Sequence, residues 1–149
     1  MKHERCDAVG AIVKNSKGHY LVLYRLQQPQ GLGCPAGHVE EDETRVEAVT
    51  RELFEETGIR AKKTACVYRG VFGTARLRCK RGVSKHKWSI YRVLTYAGKA
   101  RRKEKREHAF VKFMSPKKIR EYANRNDLTP LWVEVFRQLK IINGRTNHT

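Results

Sequence analysis

Residues 37–59 read Gly37-His38-Val39-Glu40-Glu41-Asp42-Glu43-Thr44-Arg45-Val46-Glu47-Ala48-Val49-Thr50-Arg51-Glu52-Leu53-Phe54-Glu55-Glu56-Thr57-Gly58-Ile59. Thr44 and Glu47 have the Ser/Thr-x-x-Glu spacing of a capping box, which predicts a helix entered at Thr44 and running to about Thr57. Gly58 supplies the stop, because glycine tolerates the left-handed conformation that ends many helices. At about 100° per residue, Glu52, Glu55 and Glu56 fall within one arc of that helix. Val46, Val49 and Leu53 share a second arc, roughly 100° around, expected to face the core. Like charges at these spacings repel, so the acidic arc calls for a cation. Hard carboxylate oxygens suit Mg²⁺, with Mn²⁺ as a substitute, held through a few carboxylates, waters and substrate phosphate oxygens. The alternative is a merely solvated acidic helix face.

The same residues fill every fixed place of G-x5-E-x7-R-E-U-x-E-E-x-G-U, where U is bulky and apolar. The stretch resembles the Nudix box. Chance agreement is on the order of one in a billion per starting position. The resemblance implies an α/β fold, a Nudix-like α/β/α sandwich with a mixed central sheet; element periodicity alone allows either α/β or α+β. It implies that Glu52 activates or orients water and that Glu52, Glu55 and Glu56 hold the metal. The residue before the first box glycine gives its carbonyl to the metal in this family, which here is Ala36. Many members have glycine at that place, and alanine keeps the carbonyl. Gly37, Glu43, Arg51 and Gly58 are assigned to structure within the motif. Arg51 is expected to brace the loop, through Glu43 as the resemblance implies or through Glu47 at helical spacing. A further catalytic acid from a loop ahead of a late strand is implied, and Glu107 is preferred to Glu104 by its distance from that strand.

The chain has 149 residues and a formal net charge of +17. That length fits one domain, residues 1–149, and leaves no room for a second. The start carries no apolar signal core and no segment approaches a membrane span, so the expected location is cytoplasmic, with no membrane partner. Cys6, Cys34, Cys66 and Cys79 form no C-x-x-C pair, which argues against zinc and redox motifs and for reduced thiols. Cys34, just before the box, reads as a small buried thiol beside the site. Positive charge concentrates at residues 76–87 and 99–106, a field that draws polyanions: nucleotides, other diphosphates, or nucleic acid.

Residues 7–14 and 19–25 read as strands paired around the turn at 15–18. Residues 27–33, with Pro29 and two glycines, read as a loop. Strands are expected at 65–72, 88–96 and 110–114. Ser115-Pro116 and Thr129-Pro130 both have the serine or threonine cap with proline first that opens a helix. The second helix carries an apolar stripe of Trp132, Val135, Phe136 and Leu139. Residues 143–149 read as a frayed tail.

Arg25, at the end of a strand leading toward the box, is a candidate phosphate ligand, with a plain surface arginine as the equal alternative. Tyr68, Phe72, Trp88 and Tyr91 are candidates for a base-stacking wall, against core packing. His38 and His108 are placed near the cleft, as hydrogen-bonding or surface residues sooner than as bases. The resulting expectation is Mg²⁺-dependent hydrolysis of a phosphoanhydride in a nucleoside diphosphate linked to another moiety. The alternatives are an RNA 5′-end pyrophosphohydrolase or decapping-type enzyme and a non-catalytic Nudix-fold binding module. Homodimerisation is left open.

Overall fold

The computed structural model describes residues 5–73 and 85–142. β1 (Arg5–Val13), β2 (Tyr20–Arg25), β3 (Gly31–Gly33) and β4 (Ala36–His38) precede α1 (Arg45–Thr57). β5 (Arg60–Gly73), β6 (Lys85–Ala97) and β7 (His108–Met114) follow, and α2 (Pro116–Asn124) and α3 (Pro130–Gln138) complete the order. Most of the first basic run and the expected tail at 143–149 lie outside the described residues.

In the larger sheet the order is β4-β1-β6-β5, with β1 and β6 parallel and the other pairs antiparallel. The smaller sheet, β3-β2-β7, is antiparallel. The expected pairing of residues 7–14 with 19–25 is therefore corrected. Their turn does form, with the Gly18 N–H donating to the Asn15 carbonyl and the Asn15 side chain accepting from Lys17 and His19. Beyond the isolated bridge Lys14–Tyr20, however, the two strands enter different sheets. Burial explains the divergence: β1 buries Val9, Ala11 and Val13 on one face and Ile12 on the other, so it is an interior strand that needs covering on both faces. β6 gives it a continuous parallel neighbour from Arg5–Lys85 to Val13–Val93.

Alternation along β1 and β6 separates two apolar layers. Val9, Ala11, Val13, Tyr91 and Val93 pack with Ala48, Val49 and Leu53 of α1. Ile12 and Ile90 point the other way, to Ile119 of α2 and Trp132, Val135 and Phe136 of α3. Helices thus cover both sides of a mixed sheet, the sandwich that was expected. Leu139 caps α3 at its edge, only partly buried.

Two local readings change. Val46 is 47% exposed, whereas Ala48, Val49, Leu53, Glu56 and Thr57 are buried. The inward face of α1 is turned toward its acidic arc, and Val46, in the first turn, is left in solvent. Within the expected loop at 27–33, Gly31–Gly33 forms β3 against β2. Its Leu32 is fully buried and exchanges backbone hydrogen bonds with Asp127 and Thr129, which ties the loop to the segment entering α3.

Candidate active site

α1 begins as its capping box dictates. The Thr44 side chain accepts from Glu47 N–H at 3.0 Å and the Glu47 carboxylate accepts from Thr44 N–H at 2.9 Å. Gly58 ends the helix at φ 82°, with its N–H donating to the Phe54 carbonyl. Because Glu47 is occupied by the cap, Arg51 turns to Glu43, donating through Nε at 2.7 Å and Nη2 at 3.1 Å. The same guanidinium reaches the His38 carbonyl at 3.0 Å, Glu52 at 3.0 Å and Glu55 at 3.1 Å. Arg51 is thus the brace between the loop, β4 and the acidic face, and its guanidinium holds the Glu43 carboxyl below the usual range.

β4 lies across the carboxylates. A Cβ at Gly37 would collide with the Glu52 carboxylate, which explains glycine at that place. Glu56 accepts a hydrogen bond from Ala36 N–H at 3.0 Å. Burial pushes the Glu52 carboxyl up to about 7, with Arg51 pulling it back and the charges of Glu55 and Glu104 adding to the rise. Glu56 is raised well above the carboxylate range by burial and by Glu52, against the Ala36 hydrogen bond. Glu55 is more open, its side chain 49% exposed beside Arg51.

A fourth acid arrives from the segment between β6 and β7. Arg101 N–H donates to the Thr57 carbonyl at 2.9 Å, and Lys103 Nζ donates to the Phe54 carbonyl at 3.2 Å while lying over the Phe54 ring. Docked in this way on α1, the segment carries Glu104 to Glu56: donor atoms of Glu56, Glu104 and His108 all lie within 4.8 Å of one another. Glu107, the acid preferred from sequence, lines the neighbouring cavity, and its carbonyl accepts from Leu26 N–H. Distance from a strand could not separate the two acids, since a turn folds the chain back between them. The signal in the sequence for this pair is the spacing of Glu104 and His108, four residues apart, as in one helical turn.

A cavity of about 650 Å³ is lined by Gly37, Glu52 and Glu56 together with Phe72, His86 and Trp88. The His38, His86 and Trp88 rings form a tilted series, with centroids 5.2 and 6.1 Å apart. Such a space offers clustered carboxylates for a cation and phosphate, and flat π faces for an aromatic group.

The NUDIX domain model matches residues 4–132. The chain belongs to the Nudix hydrolase family. It is 49% identical to the Phosphatase NudJ of Escherichia coli over 53 residues, a match that spans 35% of each chain, so about a third of the curated relative's length. Its fold is similar to that of a MutT protein from Methanosarcina mazei, with a TM-score of 0.72 at 22% identity, covering 93% of this chain and 94% of the other. It is also similar to the NUDIX domain of Shewanella oneidensis NrtR, whose structure was solved with ADP ribose: TM-score 0.73, 18% identity, 94% of this chain and 88% of that one.

Around the Nudix box, the other sequence candidates divide. Arg25 lines the cavity, with Nε donating to the Pro29 carbonyl at 2.9 Å and Nη2 to the Gln28 carbonyl at 3.2 Å. Phe72 and Trp88 reach the cavity, whereas Tyr91 is buried in the α1 layer and Tyr68 packs against the opposite layer. Cys34 lines the cavity as a buried thiol whose ionisation is suppressed by burial. His108 is buried at the start of β7, and burial lowers its pKa. Among the described residues, no helix is long and apolar enough to cross a membrane.

Proposed function

We propose that this Nudix chain acts as a single-domain, cytoplasmic, divalent-metal-dependent hydrolase that cleaves a phosphoanhydride in a nucleoside diphosphate linked to another moiety. The observation that carries this reading is the shared cavity, with the Glu52 and Glu56 carboxylates facing a space that Phe72, His86 and Trp88 also line. The adenosine diphosphate unit of the ADP ribose bound by the Shewanella oneidensis domain fits the same class of ligand. Glu56 and Glu104, with Glu55 and the Ala36 carbonyl from the family pattern, supply the hard oxygen donors that suit Mg²⁺ or Mn²⁺. When bound, the cation neutralises phosphate charge and acidifies water.

The remaining work falls to the chain's own side chains. Glu52 accepts the proton of the attacking water, a task suited to a carboxylate poised near neutrality by burial and oriented by Arg51. Arg25 faces the cavity as a cation for the phosphate, and Glu107 stands at the cavity wall instead of in the donor cluster. The aromatic side seats the base and leaves the diphosphate at the acids. The test is phosphate release over nucleotide sugars, dinucleoside polyphosphates, dinucleotide cofactors and nucleoside triphosphates with Mg²⁺ or Mn²⁺. Glu56→Gln should lower turnover by several orders of magnitude with the fold intact. No release from any of these substrates, or wild-type turnover in the variant, refutes the reading.

An RNA 5′ end is the second candidate substrate. The segment that delivers Glu104 also carries Lys99, Arg101, Arg102, Lys103, Lys105 and Arg106, so a polyanion could run along it into the site. A salt dependence of binding that steepens with RNA length would select this substrate over a free nucleotide.

A further inference from the structure

The turn at residues 104–108 brings an unexpected donor to the acids. Glu107 N–H and His108 N–H both donate to the Glu104 carbonyl at 3.0 Å, so one tight turn presents Glu104 and His108 together. Glu56 of α1 completes a group of three whose donor atoms lie within 4.8 Å of one another. His108 is only 1% exposed, and its Nδ1 is buried with no hydrogen-bond partner among the described residues. A buried polar atom left unpaired is unfavourable, and a cation bound at that nitrogen removes the penalty.

We propose that His108 is a nitrogen ligand to a divalent cation shared with Glu56 and Glu104, and that this mixed donor set selects Mn²⁺ over Mg²⁺. Mg²⁺ demands a near-ideal octahedron of oxygen donors and gains little from imidazole. A first-row transition cation accepts carboxylate oxygen and imidazole nitrogen together. An all-carboxylate site would serve Mg²⁺ well; the buried ring beside Glu56 shifts the balance. The presence of a cation rests on the hydrolase reading above, but its ligands can be tested without turnover.

The experiment uses the full chain, stripped of metal and then saturated with Mn²⁺ in the absence of substrate. Electron spin-echo modulation should show nitrogen-14 coupling from coordinated imidazole that disappears in His108→Asn; coupling that persists in the folded variant belongs to another histidine and overturns the proposal. Calorimetric titration of His108→Asn should show Mn²⁺ binding weakened roughly 10- to 100-fold and Mg²⁺ binding changed less than about threefold. Absence of nitrogen coupling in the wild-type chain overturns the proposal, even if the variant fails to fold. Equal losses for both cations overturn the selectivity. Nitrogen coupling without hydrolysis of any substrate keeps His108 as a ligand and removes the hydrolase reading; hydrolysis without coupling does the reverse.

Discussion

Glu52→Gln should stabilise the metal-free protein at pH 8 while abolishing its proton-accepting group. The Glu52 carboxyl rises from 4.5 to about 7 on folding, chiefly through burial. Below pH 4.5 it is neutral in both states and has no effect. Between 4.5 and about 7 the unfolded chain ionises first, so the folded state loses stability as pH rises, and above about 7 the loss is complete. At ~1.36 kcal/mol per unit the full shift corresponds to roughly 3 kcal/mol. The side chain keeps 17% of its surface in solvent. Screening there reduces the expected loss to about 2 kcal/mol. The glutamine oxygen can still accept the hydrogen bond from Arg51. Urea denaturation in chelator should therefore show the two proteins nearly equal at pH 4, with the variant more stable by about 2 kcal/mol at pH 8, or roughly 4–8 °C in Tm. Adding Mg²⁺ or Mn²⁺ should reverse the order at pH 8, because the cation binds the ionised wild-type site. Parallel pH profiles for the two metal-free proteins would refute the argument, since burial of Glu52 would then carry no penalty.

Gly37→Ala should displace the Glu52 carboxylate, costing about 1–3 kcal/mol in stability and at least ~100-fold in turnover; wild-type kinetics would show that the contact relaxes freely. Arg51→Ala removes the bidentate pair with Glu43 and leaves neighbouring carboxylates without their cation, so denaturation should reveal a loss of about 2–3 kcal/mol. A loss below about 0.5 kcal/mol would make Arg51 an ordinary surface cation. Trp88→Ala should raise KM for nucleotide substrates about 5- to 100-fold with a smaller change in kcat. Equal effects on a diphosphate lacking an aromatic base would argue against base stacking.

Several features were legible because their causes lie within a few residues. The cap at Thr44, the stop at Gly58 and the helix starts at Pro116 and Pro130 all match the structure. Other features depended on competition among distant partners. The turn at 15–18 forms from its own residues, yet its strands part because β1 buries both faces and pairs with β6. Val46 fits the helical stripe but is 47% exposed, because the buried face of α1 takes in Glu56 and Thr57 instead. The choice between Glu43 and Glu47 for Arg51 was settled by the cap, which already uses Glu47.

Glu104 and His108 mark the limit most clearly. One belonged to a basic run and the other adjoined a strand, and neither neighbourhood indicates chemistry. Their meeting with Glu56 depends on Arg101 and Lys103 fastening the segment to the carbonyls at the end of α1. Short-range spacing and capping chemistry were enough to write α1, its acids and its family into the chain. The strand partners, the cavity wall and the company kept by Glu56 came only from packing, because groups far apart in sequence meet where burial brings them.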